Sequence, residues 1–191
     1  GWYTDTNYGT KVTSISTTAI EDQYLYAKMT PKTYNINYYD GTTKITNLTP
    51  TTYTYGTGVS SLPTYSKTGY TFEGWYTTNT FDEGTKVEKI TKTDLNDKVL
   101  YAKWNINEYT ITFEENGGTE VEDITADYNS VVTKPEDPTK DGYEFKEWTL
   151  NSVSYDFNFG VTGDITLIAK YEKLEEEKNE PCKFIDPNTN N

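Results

Sequence analysis

Histidine and arginine are absent from this 191-residue chain, and cysteine and methionine occur once each. Without an imidazole there is no histidine base, no histidine metal ligand, and no Ser/His/Asp or Cys/His arrangement. The single thiol, Cys182, has no partner for an intrachain disulfide, so pairing arithmetic does not reveal the redox compartment; it sits in a polar tail and is assigned no role. No apolar run approaches the roughly 20 residues that a membrane-spanning helix needs. Positive charge is scarce as well: 17 lysines face 30 carboxylates, for a net charge of -13. Such a chain is repelled by phosphate backbones and by anionic lipid surfaces, and it has no basic amphipathic helix to offset that. Nucleic acid is therefore excluded as a partner. The opening Gly1-Trp2-Tyr3-Thr4-Asp5 has neither the charged nor the apolar segment of a signal peptide and does not read as a natural start.

What the chain does have is 18 tyrosines and 35 threonines. β-Branched and aromatic side chains suit the pleated, half-buried surface of a sheet, so the expected fold is mainly β with little helix. Short helical turns are expected at most at Glu122 to Asp127 or Lys92 to Asp97.

The sequence also repeats. Gly69-Tyr70-Thr71-Phe72-Glu73-Gly74-Trp75-Tyr76 returns about 73 residues later as Gly142-Tyr143-Glu144-Phe145-Lys146-Glu147-Trp148-Thr149. Leu25 to Lys28, Leu100 to Trp104 and Leu167 to Tyr171 recur in step as closing strands. Tyr34 to Tyr38 and Tyr109 to Phe113 open the copies. Residues 34–104 and 109–172 are thus expected to be two complete repeats. Residues 1–29 read as the C-terminal half of a third whose opening strands are missing, so the chain reads as a fragment. That half is expected to fray or to lean on residues 34–104. Residues 173–191, charged and then polar, are expected to be a disordered tail.

Within the last copy, Tyr109, Ile111 and Phe113 alternate with Thr110 and Thr112, the period that turns one strand face to a core. Asn116-Gly117-Gly118 supplies a turn. Ser130 to Thr133, stopped by Pro135, reads as a second strand, Tyr143 onward as a third, and Ser154 to Phe157 as a fourth. Ile165, Leu167, Ala169 and Tyr171 face inward on a fifth. Trp148 has the opposite parity from Tyr143 and Phe145, which requires either a bulge or a tryptophan on the second face.

The opening strand, the Asn-Gly-Gly turn, Pro138-Thr139-Lys140-Asp141-Gly142-Tyr143 with Phe145 and Trp148, and the closing Leu167 to Tyr171 resemble the Listeria–Bacteroides repeat, or internalin-type B-repeat. Gly69 to Tyr76 and Leu100 to Trp104 carry the same likeness in the middle copy. The copies depart from one another where Glu147 and Thr149 replace Gly74 and Tyr76, and where Asp40-Gly41-Thr42 replaces Asn-Gly-Gly. The resemblance implies tandem small β-grasp-like domains in a bacterial cell-surface protein, without catalytic residues, between an adhesive head and an anchor. It further implies an extracellular spacer and interaction module whose partners are a host or matrix protein or a glycan.

Candidate chemistry is thin. The pairs Glu114/Glu115, Asp82/Glu83 and Glu120/Glu122 could serve glycoside hydrolysis only if two carboxyls faced each other across a substrate. Neighbours in sequence point to opposite strand faces or lie in turns, and the expected reading is solvated surface. Asp5-Thr6-Asn7-Tyr8-Gly9 begins like a calcium loop, but Ser16 stands where the bidentate glutamate belongs, so a turn is expected and no metal. Trp2, Trp75 and Trp148 recur at equivalent places and are expected in cores, with Trp104 a similar case. Tyr38, Tyr39, Tyr53, Tyr55 and Tyr65 cannot all be core in so small a unit. Those at the surface would suit a protein or sugar partner, and a carbohydrate-binding accessory module of a secreted enzyme is the alternative reading. No catalytic residue, cofactor or metal site is assigned.

Overall fold

The computed structural model describes residues 1–175. They form two compact units, Gly1–Lys67 with Thr71–Asn105, and Thr68–Tyr70 with the described residues from Ile106 onward. Every regular element among the described residues is a β-strand, as the tyrosine- and threonine-rich composition predicts.

Residues 1–29 contribute a small sheet in which β1 (Trp2–Tyr3) lies between β2 (Lys11–Val12) and β3 (Tyr26–Ala27). The next sheet is built from β4 (Thr33–Asp40), β5 (Thr43–Ile45), β6 (Thr52–Thr54), β7 (Tyr70–Tyr76), β8 (Lys86–Val87) and β9 (Lys98–Ile106). Its order is β5-β4-β9-β7-β8, with β6 also paired to β4. The last sheet has five strands, β10 (Glu108–Glu114), β11 (Ile124–Asp127), β12 (Tyr143–Leu150), β13 (Val153–Ser154) and β14 (Ile165–Lys173), in the order β11-β10-β14-β12-β13.

Both larger sheets share one construction. The opening and closing strands run parallel at the centre, with Tyr38 opposite Leu100 in one and Phe113 opposite Leu167 in the other. The period-two alternation of these strands sends Tyr34, Ile36, Tyr38, Leu100 and Ala102 into the first core, and Ile111, Phe113, Leu167 and Ala169 into the second. Burying one such leucine fully contributes about 2 kcal/mol, so a handful of inward positions decides which face is the core.

The parity break before Trp148 is a bulge. Phe145 pairs with Tyr171 and Glu147 with Lys170, which leaves Lys146 as the extra residue. Phe145 and Trp148 can then both point inward, their rings 5.5 Å apart. The middle copy makes the same contact between Phe72 and Trp75, at 5.2 Å.

Three expectations are corrected. Glu122 to Asp127 is not a helical turn: Ile124–Asp127 is strand β11 along β10. The Asp123 side chain draws the segment in by accepting from the Phe113 amide and the Thr112 hydroxyl. Lys92 to Asp97 is a turn rather than helix, since the Asp94 carboxylate folds back to accept from the Thr91 amide and hydroxyl. Ser130 to Thr133 is not a strand and lies outside the sheet, although Val132 is buried and Val131 exposed as alternation requires. Its Ser130 carbonyl and the Asn129 amide are taken by Val161, and Pro135 follows.

The fourth strand is shorter than Ser154 to Phe157, being only the pair Val153–Ser154. The closing strand reaches Lys173, and the Leu174 amide donates to the Gly142 carbonyl. The rest of the expected tail, residues 176–191 with Cys182, lies outside the described residues.

Candidate functional site

None of the sequence-adjacent carboxylate pairs forms a facing pair. Glu114 is exposed at the end of β10, while Glu115 accepts from the Val121 amide at 2.8 Å. Asp82 and Glu83 lie in an exposed turn closed by Thr80 and Thr85, and Glu120 and Glu122 are exposed. The Asp5 carboxylate is consumed by its own loop, accepting from the Asn7, Gly9 and Thr10 amides. Those donors, the Gly9 amide first, hold its carboxyl below its ordinary value. The loop is the turn expected of it. Among the described residues no three carboxylate or thiol groups converge as metal ligands, and no helix is long and apolar enough to cross a membrane.

Trp75 and Trp148 are buried, packed by rings from their opening strands, tilted Tyr38 at 4.7 Å and edge-on Phe113 at 4.8 Å. Trp2 departs from the expectation at 55% exposed. Its sheet holds three two-residue strands and no opening strand to supply such a ring. Trp104 is half-buried against Tyr65 and Phe72. Of the five singled-out tyrosines, Tyr38 and Tyr53 are core, Tyr39 and Tyr65 are half-buried, and Tyr55 is exposed. Burial pushes the Tyr38 phenol up to about 12, and it donates to the Pro50 carbonyl.

The repeats carry three constellations that the motif reading missed because their members are far apart in sequence. The motif lysines stand over the ring that ends the closing strand: Lys67 over Trp104 at 5.6 Å, and Lys140 over Tyr171 at 5.2 Å. Lys67 also pairs with Asp40, which accepts from the Trp104 indole.

The second constellation is a carboxylate just before each closing strand. Asp97 accepts from the Asn35 amide at 2.8 Å, and Asp164 from the Thr110 amide at 2.8 Å. Each pins an opening strand to its closing partner. The Asn35 side chain and amide hold the Asp97 carboxyl below its ordinary value. A depressed folded value means that Asp97 stabilises the fold above the unfolded value and loses that contribution as pH falls through the folded one. In Asp97→Asn the urea midpoint is therefore expected to decline less between neutral pH and about pH 2.5 than in the parent chain. Parallel declines would show that the contact carries no linkage.

The third lies on the outer sheet face. Tyr76 donates to Glu73 at 2.6 Å, Lys103 pairs with Glu73 at 3.0 Å and stands over the Tyr76 ring, and Phe81 packs edge-on against it. The Tyr76 hydroxyl and Lys103 hold Glu73 below its ordinary value, and hydrogen bonding to Glu73 raises both Tyr76 and Lys103. Residues 1–29 repeat the motif with Tyr3, Tyr8 and Lys28. Phe81 and Tyr8 hold φ values of 55° and 57°, a conformation that bulky side chains rarely adopt. Nearby, Tyr39 and Tyr101 stack at 5.7 Å. In the last copy Thr149 replaces the tyrosine and Lys170 pairs with Glu147. The Tyr76 ring is itself buried, and its hydroxyl is taken by Glu73.

Comparison with known proteins agrees with the repeat. The model of the Listeria-Bacteroides repeat domain matches residues 1–28, 33–103 and 109–170. Two relatives come from Evansella cellulosilytica. One carries the description Gly-rich membrane protein and is 39% identical over 122 residues, 62% of this chain and 14% of its own length. The other, described as a membrane protein, is 33% identical over 176 residues, 90% of this chain and 26% of its own. Internalin H of Listeria monocytogenes is 39% identical over 131 residues, 65% of this chain and 22% of its own. The chain thus spans between 14% and 26% of the length of these relatives.

Proposed function

The chain belongs to the Listeria-Bacteroides repeat domain family, and on that premise we propose that it is a non-enzymatic tandem-repeat segment of a bacterial cell-surface protein, a spacer that also contacts partners outside the cell. The observation that carries this reading is the repetition itself. The two complete copies share one strand register, one bulge-and-tryptophan contact in the second copy echoed by Phe72 and Trp75 in the first, and one pinning carboxylate each. Residues that recur serve the fold, and the outer faces differ. A scaffold that holds its core and varies its surface suits spacing and recognition better than catalysis. Membrane-protein and internalin names among the relatives support an extracellular, surface-attached setting. Parallel pairing of first and last strands supports a helix-free variant of the β-grasp-like sheet.

The test is accessibility on intact cells, using an antibody raised against residues 109–172. Labelling that disappears after protease shaving is the expected result. Signal that appears only after permeabilisation would defeat the surface reading.

The alternative, a carbohydrate-binding accessory module of a secreted enzyme, draws on the Tyr39–Tyr101 stack and exposed Tyr55. A glycan array without binding to either complete repeat would remove it.

A further inference from the structure

Charge is divided unevenly along the chain. Residues 1–105 carry ten carboxylates and ten lysines, whereas residues 106–175 carry sixteen carboxylates and five lysines. Nearly all of the acidity therefore belongs to the last repeat.

The same repeat also differs from the middle one at the start of its parallel pair. Ile111 and Ile165 are partners at the start of the parallel pair, where the middle copy has Ile36 and Lys98. Lys98 is neutralised there by Asp94 at 2.9 Å, within the seven residues Thr91 to Asp97 that precede β9. Only Thr162, Gly163 and Asp164 precede β14 after the buried Val161. Beside this short loop lies a hollow of about 380 Å³, lined chiefly by Leu150, Val153, Tyr155, Phe159, Val161 and Ile165. Val153 and Phe159 are 68% and 70% exposed, large apolar side chains at its rim. One carboxylate, Asp156, lines this hollow and no lysine does. The rim is apolar with a single anionic group, in a repeat that carries sixteen carboxylates against five lysines.

A second hollow, about 660 Å³, shares Ser154, Tyr155 and Asp156 with the first. These residues continue β13, which ends the strand order of its sheet among the described residues. An outermost strand leaves backbone donors and acceptors available for another strand.

We propose that this edge of the last repeat docks an extended, lysine- or arginine-bearing segment of a partner protein, laid beside Val153–Ser154 with one apolar side chain seated in the hollow. This rests on the interaction role argued above and names the chemistry of the partner. Charge complementarity selects a cationic segment, because the repeat is strongly acidic, Asp156 lines both hollows, and the one lysine beside them, Lys134 at the second, is already paired with Asp137. The middle repeat, with equal numbers of carboxylates and lysines and an ion pair at the equivalent place, is not expected to bind it.

The experiment uses the whole chain and a fluorescein-labelled peptide in which lysine alternates with valine and phenylalanine, followed by anisotropy. A peptide with glutamate in place of lysine is the control. Binding is expected for the lysine peptide alone and is expected to weaken between about 50 and about 300 mM salt. Phe159→Ser and Val153→Thr are each expected to weaken it on the order of tenfold. Both positions are exposed, and near-ultraviolet circular dichroism would verify that the variants fold. Absent binding, equal binding of the glutamate peptide, or unchanged affinity in the variants would overturn the proposal. Concentration-dependent dimerisation abolished by Phe159→Ser would overturn it too, by assigning the edge to a second copy. None of these outcomes bears on surface location, which antibody labelling reads separately.

Discussion

Trp148→Ala is expected to destabilise the last repeat by about 3–5 kcal/mol. Its indole is 1% exposed and touches rings from two strands, Phe113 on the opening strand and Phe145 across the bulge. Removing it leaves a cavity where the opening and middle strands meet over the core. A domain of this size stands at the low end of the usual 5–15 kcal/mol, so the repeat is expected to be largely unfolded in moderate urea. Trp2→Ala, at the equivalent place in residues 1–29, is expected to cost about 0.5 kcal/mol or less because its side chain is mostly in water. Urea titrations followed by near-ultraviolet circular dichroism compare the two. Similar costs at both positions would mean that Trp148 is not the keystone its packing indicates.

The phenylalanine variants sharpen the comparison. Trp75 donates from its indole to the Pro63 carbonyl at 2.6 Å, while the Trp148 indole nitrogen is buried without a protein acceptor. Trp75→Phe deprives the half-buried Pro63 carbonyl of its donor and Trp148→Phe breaks no such bond, so the second is expected to be the better tolerated by about 1 kcal/mol.

Gly58→Ala is expected to cost about 3 kcal/mol or more in the middle repeat. Gly58 adopts φ +74°, and an added Cβ would fall 2.3 Å from the Ile90 carbonyl oxygen and 2.8 Å from the Thr91 carbonyl carbon. Both are backbone atoms, and they cannot swing aside as a side chain can. Ile90 is itself core, and the next residue, Val59, exchanges both backbone hydrogen bonds with it. Relief of the clash must therefore shift a core residue or break that bridge. Gly41→Ala is the control, at φ +58° with nothing within 4 Å of the added carbon. It bears the conformational cost alone, about 1 kcal/mol. Thermal unfolding of the two variants separates clash from conformation, and equal shifts would show that the Ile90 contact is not binding.

The legible part of the fold is its centre. Tyr109, Ile111, Phe113, Leu167 and Ala169 betray their facing through period-two alternation, since burial on one side of a strand leaves that trace in any sequence. The parity break at Trp148 flagged a bulge or a second-face tryptophan, and pairing across the sheet decided for the bulge. Strand β11 was not legible because nothing local marks it. What brings Ile124–Asp127 to the sheet is a carboxylate, Asp123, reaching ten residues back to the Phe113 amide. Trp2 misled because equivalence in sequence does not supply the neighbour that buries it. On the outer sheet face, side-chain clusters join partners about thirty residues apart, such as Glu73 and Lys103. The hollow is lined from three separate stretches of chain, Leu150, Val153 to Asp156 and Phe159 to Ile165, which no motif records.

The parallel pair at the centre of each sheet has a mechanical consequence. Strands that run side by side in the same direction place the start of one and the end of the other at opposite ends of the ladder. A pull on the chain ends enters the last repeat near Tyr109 and leaves near Lys173, so it drags β10 past β14 along their length. The hydrogen bonds from Ile111 to Ile168 then bear the load together in shear, instead of opening one after another as in a hairpin peeled from its end. A tether made of such units resists tension better than its modest thermodynamic stability would indicate.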